Sequence, residues 1–95
     1  MQIETSTNNI IINGNIKTIN DFQNIKSSID SVVTSSKTIT IKIVDSISIT
    51  SSVIGYLNKL VLKDGVNITM LVGNEKLIEL LEDLNLKSTF NARRM

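Results

Sequence analysis

Cysteine, histidine and proline are all absent from this chain of 95 residues. Without cysteine it has no disulfide framework, no thiolate nucleophile and no cysteine metal site. Without histidine it lacks the side chain most often used as a general base and as a metal ligand. Aromatic residues make up only 3% of the sequence, so the core has to be built from aliphatic side chains, mainly isoleucine.

The chain also lacks an excess of charge of either sign, because its net charge is +1 and the charged residues are spread along it. Nucleic-acid-binding modules carry a basic face with aromatic stacking residues, so we expect no nucleic-acid partner. The one basic cluster, Arg93-Arg94, lies at the C-terminus, where we expect a solvated tail over residues 91–95.

Targeting and membrane signals are missing as well. The first residues lack the basic start and apolar run of a signal peptide. No stretch approaches the roughly 20 apolar residues that span a bilayer. We therefore expect a cytoplasmic protein that does not insert into a membrane.

No group of residues typical of an enzyme is found. Glu79, Glu82 and Asp83 are close in sequence, but at helical spacing they are typical of a solvated face. The glycines are too dispersed for a phosphate-binding loop, and no metal-ligand set or nucleophile–base pair is present. The sequence predicts a protein without catalytic activity, cofactor or metal.

Apolar spacing predicts strands and helices in alternation. Period-two runs of β-branched residues indicate strands, and apolar residues three and four positions apart indicate helices. The predicted elements are a strand at 9–13, a helix at 21–34, a strand at 38–44, a helix from 51 to about 64, a strand at 66–72, a helix after 74 and a short last strand at 88–90.

Helix starts are marked by residues that cap. Asn20 is the predicted cap of the first helix, with Asp21 favourable in the first turn and Gln23 closing a capping box. Asn74 is the predicted cap of the third helix.

The order of elements predicts an α/β domain. Strand, helix and strand over 38–72 form a βαβ unit, which gives parallel strands with a right-handed crossover. Each predicted helix has one apolar face, which suits packing on a sheet. We therefore expect a single domain with its core at about 8–90, a mixed sheet with helices mainly on one face, in the order β-α-β-α-β-α.

The segment from Ile47 to Leu57 resembles the hallmark of the STAS domain, in which a strand leads into an Asp-Ser-Ser/Thr-Gly-Leu-Gly loop that opens a helix. The resemblance extends from about residue 8 to residue 90, and it is to the bacterial anti-sigma-factor antagonists. Gly14-Asn15-Ile16 is similar to the family's turn after the first strand. The segment from Gly65 to Val72 is similar to its strand after the second helix, and Leu80 to Leu86 with Phe90 is similar to its closing helix.

This resemblance implies a partner-switching role. Such antagonists bind a kinase-like anti-sigma factor, phosphorylation of one loop serine breaks that complex, and a phosphatase restores it. By motif position the acceptor is Ser51, with Ser52 as the fallback. The implied partners are a serine kinase of the anti-sigma type and a serine phosphatase, and the oligomeric state stays open.

The chain departs from the family's pattern at three positions. Thr50 replaces the aspartate before the acceptor, and Val53 replaces the glycine after the two hydroxyl residues. Lys42 stands where the family's central strand often has an acidic residue. Two interpretations of residues 50–52 therefore stay open, a phosphorylated switch and a plain helix cap.

The exposed side of the second helix is the expected partner surface, formed by Thr50, Ser51, Ser52, Tyr56 and Lys59. Tyr56 is either an anchor at this interface or a ring at the edge of the core. Just upstream, Asp45 either orients the loop hydroxyls or is a solvated carboxylate at the end of a strand.

Two other functions stay open, and the first would use the same surface without phosphorylation. One is a constitutive STAS accessory subunit of an ABC-transporter ATPase, and the other is a scaffold protomer in a signalling complex. Thr50 and Val53 favour a constitutive role, whereas the intact Ser51-Ser52 pair favours the switch.

Overall fold

The computed structural model describes all 95 residues. Its elements are β1 (Gln2–Ser6), β2 (Asn9–Asn13), α1 (Ile19–Val33), β3 (Thr38–Ile43), α2 (Ser51–Leu62), β4 (Asn67–Val72), α3 (Glu75–Asp83) and β5 (Ala92–Arg94). The α/β class predicted from the sequence is confirmed. The prediction lacked the first strand and placed the short last strand at 88–90, whereas it lies at Ala92–Arg94.

One mixed sheet has its strands in the order β1-β2-β3-β4-β5. β1 pairs antiparallel with β2, and the other three pairs are parallel. Because each parallel connection passes through a helix and advances in the same direction, right-handed crossovers place all helices on one face. Burial alternates accordingly in β3, where the isoleucines are buried and Thr40 and Lys42 are only half-buried.

The core lies between the sheet and the helices as one cluster of 22 buried hydrophobic residues. Half of them are isoleucines, as the composition leads one to expect. Phe90 is the one buried aromatic ring. None of the helices has the combination of length and apolarity that crossing a membrane requires.

β1 is the element that the apolar pattern does not predict. It joins β2 through a tight turn in which Thr7 has a φ of +31°. Only Ile3 of its five residues is partly buried, so no alternation marks the strand in the sequence. β1 is stabilised by backbone hydrogen bonds to β2. Such bonds leave no trace in the pattern of apolar residues, so the sequence did not predict the strand.

The C-terminus differs from the expected tail at 91–95 and last strand at 88–90. Residues 88–90 lie in a turn, and Ala92–Arg94 pair in parallel with β4. Ala92 is buried, and the Met95 amide donates to the Val72 carbonyl at 2.9 Å. These contacts fix the two arginines in an edge strand.

Thr18, and not Asn20, caps α1. The Asp21 amide donates to the Thr18 hydroxyl, and the Asp21 carboxylate accepts from the amides of Thr18 and Lys17, so Asp21 and not Gln23 closes the capping box. Those backbone hydrogen bonds hold the pKa of Asp21 below its ordinary value. The predicted cap was wrong because the helix starts one residue before Asn20, which leaves Asn20 inside the first turn.

Candidate functional site

Four long-range hydrogen bonds tie the β3–α2 loop to the segment that precedes α1. They join residues 30 to 32 positions apart and bring the starts of α1 and α2 side by side. The bonds run from Gly14 N to Asp45 Oδ1 (2.7 Å), from Ile16 N to Ser46 Oγ (3.1 Å), from Ile47 N to Asn15 Oδ1 (3.1 Å) and from Ser48 Oγ to Ile16 O (3.2 Å).

Ser46 is the central residue of this connection and the one buried polar side chain in the chain. Its hydroxyl accepts from the Ile16 amide at 3.1 Å and donates to the Ser48 carbonyl at 2.7 Å. Sequence reasoning missed Ser46, since a serine among other serines carries no signal of burial. It fixes the loop that leads into α2.

Asp45 is an exposed carboxylate just after β3, as one of its two interpretations predicts, and it also has a backbone partner. Its carboxylate accepts a hydrogen bond from the Gly14 amide, at a turn where Gly14 has a φ of +94°. Glycine suits that conformation because a side chain would be strained there. Asp45 therefore stabilises the turn after β2 and does not orient the hydroxyls of residues 50–52.

Thr50 caps α2, as one of the two interpretations predicts. Its hydroxyl accepts from the Val53 amide at 3.3 Å, and its carbonyl accepts from the Ile54 amide at 3.0 Å. The Val53 side chain is buried in the core. Both departures from the hallmark, Thr50 and Val53, thus support the start of this helix.

Ser51 and Ser52 are exposed in the first turn of α2. A shallow cleft of about 170 Å³ lies between the starts of α1 and α2. It brings Thr50 and Ser52 together and leaves Ser51 outside. Its lining residues are Lys17, Thr18, Ile19, Phe22, Thr50 and Ser52.

Two exposed isoleucines lie on or close to the segments that the hydrogen bonds join. Ile19, in the first turn of α1, is 75% exposed, and Ile47, in the loop before α2, is 53% exposed. Sequence reasoning did not select them, because an isoleucine in an apolar pattern is normally a core residue. They add apolar surface to this end of the molecule.

Tyr56 forms a contact between α1 and α2. Its ring meets Phe22 edge-to-face at 6.3 Å, and Lys26 Nζ lies 5.5 Å from the ring centroid. Its hydroxyl donates to the Asp30 carboxylate. Burial first, and then this hydrogen bond, raise the pKa of Tyr56. The structure shows the ring packed at the edge of the core, as one of the two interpretations predicts.

The outer face of α2 is cationic. Lys59 and Lys63 are exposed and belong to neither of the two salt bridges, which join Lys26 to Asp30 and Lys87 to Glu82. No acidic residue lies between 51 and 63. Leu62, at the end of the helix, is 75% exposed. This face therefore carries two lysines outside the salt bridges and one exposed leucine.

The rest of the molecule offers no comparable site. No three histidine, cysteine, aspartate or glutamate side chains are grouped so as to hold a metal ion. A larger cleft, of about 330 Å³, lies between β1 and α1 but has no titratable side chain. Its lining residues are Met1, Ile3, Asn24, Ser27 and Ser28.

Comparison with protein-family models, with curated proteins and with solved structures found no match to this chain. A functional assignment therefore depends on the residues of the chain and their geometry.

Proposed function

We propose that this chain is a non-enzymatic, cytoplasmic protein-binding module of the STAS type, switched by serine phosphorylation at the start of α2. The observation that carries the proposal is the exposure of Ser51 and Ser52 beside a helix cap that Thr50 already supplies. A kinase can reach these hydroxyls without disturbing the cap. The partners in this proposal are a serine kinase of the anti-sigma type and a serine phosphatase.

A phosphate on Ser51 is compatible with the fold. It would add about −1.5 to −2 charges in the first turn of α2. The amides of Ser51 and Ser52 have no intrahelical carbonyl partner there, and the helix dipole favours an anion. On Ser52, the fallback acceptor, the phosphate would also share the cleft with Lys17. The phosphoprotein should therefore stay folded.

The same phosphate is incompatible with a docked partner. A surface packed on this helix start, with the exposed side chains of Ile19 and Ile47 nearby, would have to desolvate a doubly charged group. That loss amounts to several kcal/mol, or orders of magnitude in affinity. A local charge change then acts as a binding switch with little movement of the backbone.

Gly55 supports a partner contact on the outer face of α2. Glycine inside a helix costs about 1 kcal/mol relative to alanine. A Cβ at Gly55 would meet no atom within 4 Å, so packing within the chain does not require glycine. Close approach of a partner backbone would require it. Gly55 lies one turn after Ser51 and one turn before Lys59 on this face.

A constitutive role is the second candidate. Thr50 caps α2 and Val53 packs in the core, so both residues stabilise the helix start. This favours a structural role of the loop over a regulatory one. In this case the chain is an accessory subunit of an ABC-transporter ATPase, or a scaffold protomer in a signalling complex. The partner surface is the same, and phosphorylation plays no part.

Affinity capture from the native host with tagged variants tests the proposal. Wild type and S51A should retain a kinase-like ATPase, and S51D should lose it while its circular dichroism spectrum stays unchanged. S52D tests the fallback acceptor in the same way. Equal retention of that partner by all four proteins would contradict the switch, and equal retention of a transporter ATPase would support the constitutive role.

A further inference from the structure

The face of the sheet opposite the helices is uncovered. Parallel sheets are normally covered on both faces, yet three of the four strand pairs here are parallel. Half-buried apolar side chains on this open face are those of Ile11, Val44 and Leu71. These three side chains are the apolar part of an otherwise polar surface.

One row of residues crosses all five strands of the open face. The paired positions are Glu4 with Ile11, Ile11 with Lys42, Lys42 with Leu71, and Leu71 with Arg93. The row thus has an acid at one edge, a cation at the other and a lysine in the centre, separated by apolar residues. Neither Glu4 nor Arg93 forms a salt bridge within the chain.

We propose that this open face binds the open face of a second copy of the chain, about a twofold axis parallel to the strands. Stacked sheets pack about 10 Å apart with their strands within about 30° of each other. This axis places β1 of each copy over β5 of the other. Glu4 then meets Arg93 of the second copy, and Ile11 meets its Leu71, each contact occurring twice.

Charge selects this arrangement over the other face-to-face twofold arrangement. An axis perpendicular to the strands would place each strand over itself, so that Glu4 and Arg93 would each face a like charge. Like charges in contact oppose association. The parallel axis leaves one unfavourable contact, between the two copies of Lys42 at the centre.

The dimer should be weak and reversible. From strand spacing and residue rise, five short strands present about 400 Å² of face per copy, and stable interfaces bury at least about 1,200 Å² in total. The Lys42 pair weakens it further. The contact leaves α2 accessible and does not depend on the proposed switch at Ser51.

Sedimentation equilibrium at low ionic strength over a range of protein concentrations tests this dimer. Wild type should form a dimer in the high-micromolar range. E4R and R93E should each weaken it at least about tenfold, because two attractive pairs become repulsive. The double variant E4R/R93E should restore dimerisation, and K42Q should strengthen it by removing the central repulsion.

Glu79→Arg is the matched control, since Glu79 is exposed on α3, on the helical side of the molecule. It should leave dimerisation unchanged. A wild-type protein that stays monomeric at about 1 mM would overturn the proposal. So would a folded E4R/R93E variant that does not regain dimerisation, or a K42Q variant that dimerises more weakly than wild type. The K42Q arm does not depend on the edge variants.

Discussion

The Tyr56 hydroxyl on α2 donates a hydrogen bond to the Asp30 carboxylate on α1. The ring of Tyr56 also meets Phe22, one of the residues that line the cleft between the two helix starts. The packing of α1 on α2 therefore positions the same surface that carries the candidate phosphorylation sites.

Tyr56→Phe should lower the free energy of unfolding by about 1 kcal/mol, because it removes the hydroxyl and keeps the ring. Urea denaturation measures this difference. Tyr56→Leu, which loses the edge-to-face contact with Phe22 as well, should cost more. Equal stability of wild type and Tyr56→Phe would mean that this hydrogen bond does not stabilise the helix pair.

The stabilisation by Tyr56 should depend on pH at both extremes. Partial burial acts to raise the pKa of Asp30, but hydrogen bonds from Tyr56 and Lys26 outweigh burial and hold it below its ordinary value. The Asp30 contribution is fully present above the unfolded pKa of about 3.9 and is lost as pH falls through the lower folded-state pKa. The pKa of Tyr56 is raised, so its contribution is lost as pH rises above about 10.

Urea denaturation of wild type and Tyr56→Phe across pH measures both effects. The difference in unfolding free energy should be constant from about pH 5 to about pH 9 and should shrink on either side. A difference that stays constant down to the acid transition would show that Asp30 is not the acceptor in solution.

Ser46→Ala should destabilise the fold by about 1–3 kcal/mol, since it leaves the Ile16 amide without its buried hydrogen-bond partner. Amide hydrogen exchange should accelerate at residues 46–52 in particular. Ser51→Ala is the matched control, because Ser51 is exposed, and its effect should stay within about 0.5 kcal/mol.

Gly73→Ala should cost about 3 kcal/mol or more. A Cβ at Gly73 would overlap the Val44 carbonyl oxygen, and the Gly73 amide donates to the Ile43 carbonyl at 2.8 Å, so neither strand end can move aside without losing pairing. Gly65→Ala is the comparison variant: the φ of Gly65 is +67° with no atom within 4 Å, so only backbone strain of about 1 kcal/mol is expected. Thermal denaturation of both variants measures the two costs. A larger loss of stability for Gly73→Ala than for Gly65→Ala is expected, because a steric overlap costs more than backbone strain alone.

Gly55→Ala, unlike the other two glycine substitutions, should raise the free energy of unfolding, by about 0.5–1 kcal/mol. The added methyl group would contact no atom of the chain within 4 Å. Under the proposed function it should also weaken partner binding in a titration with the purified partner. Unchanged affinity would remove Gly55 from the partner surface and leave the stability effect intact.

The fold was predictable where burial repeats with the period of the element. The isoleucines of β3 could be identified from the sequence for this reason. The caps Thr50 and Asn74 could be identified because their side chains accept hydrogen bonds at helix starts. β1 and β5 could not, because backbone pairing holds these edge strands and their side chains are mostly exposed.

The candidate site was predictable in part. The exposure of Ser51 and Ser52 follows from their place in the first turn of an amphipathic helix. The partners of Tyr56 and Ser46 do not follow, because Asp30 and Ile16 lie 26 and 30 residues away in the sequence. Such contacts depend on how α1 packs on α2 and on where the loop before α2 ends, which apolar periodicity does not encode.

Strand order in this sheet equals chain order, from β1 at one edge to β5 at the other. Each new strand therefore pairs with the one made just before it, and no step requires a distant segment to be found and inserted. Each parallel pairing joins residues 22 to 31 positions apart, so each addition costs less loop-closure entropy than pairing strands from opposite ends of the chain would. During synthesis the sheet can grow from its N-terminal edge as each strand–helix unit leaves the ribosome, with β5 added last.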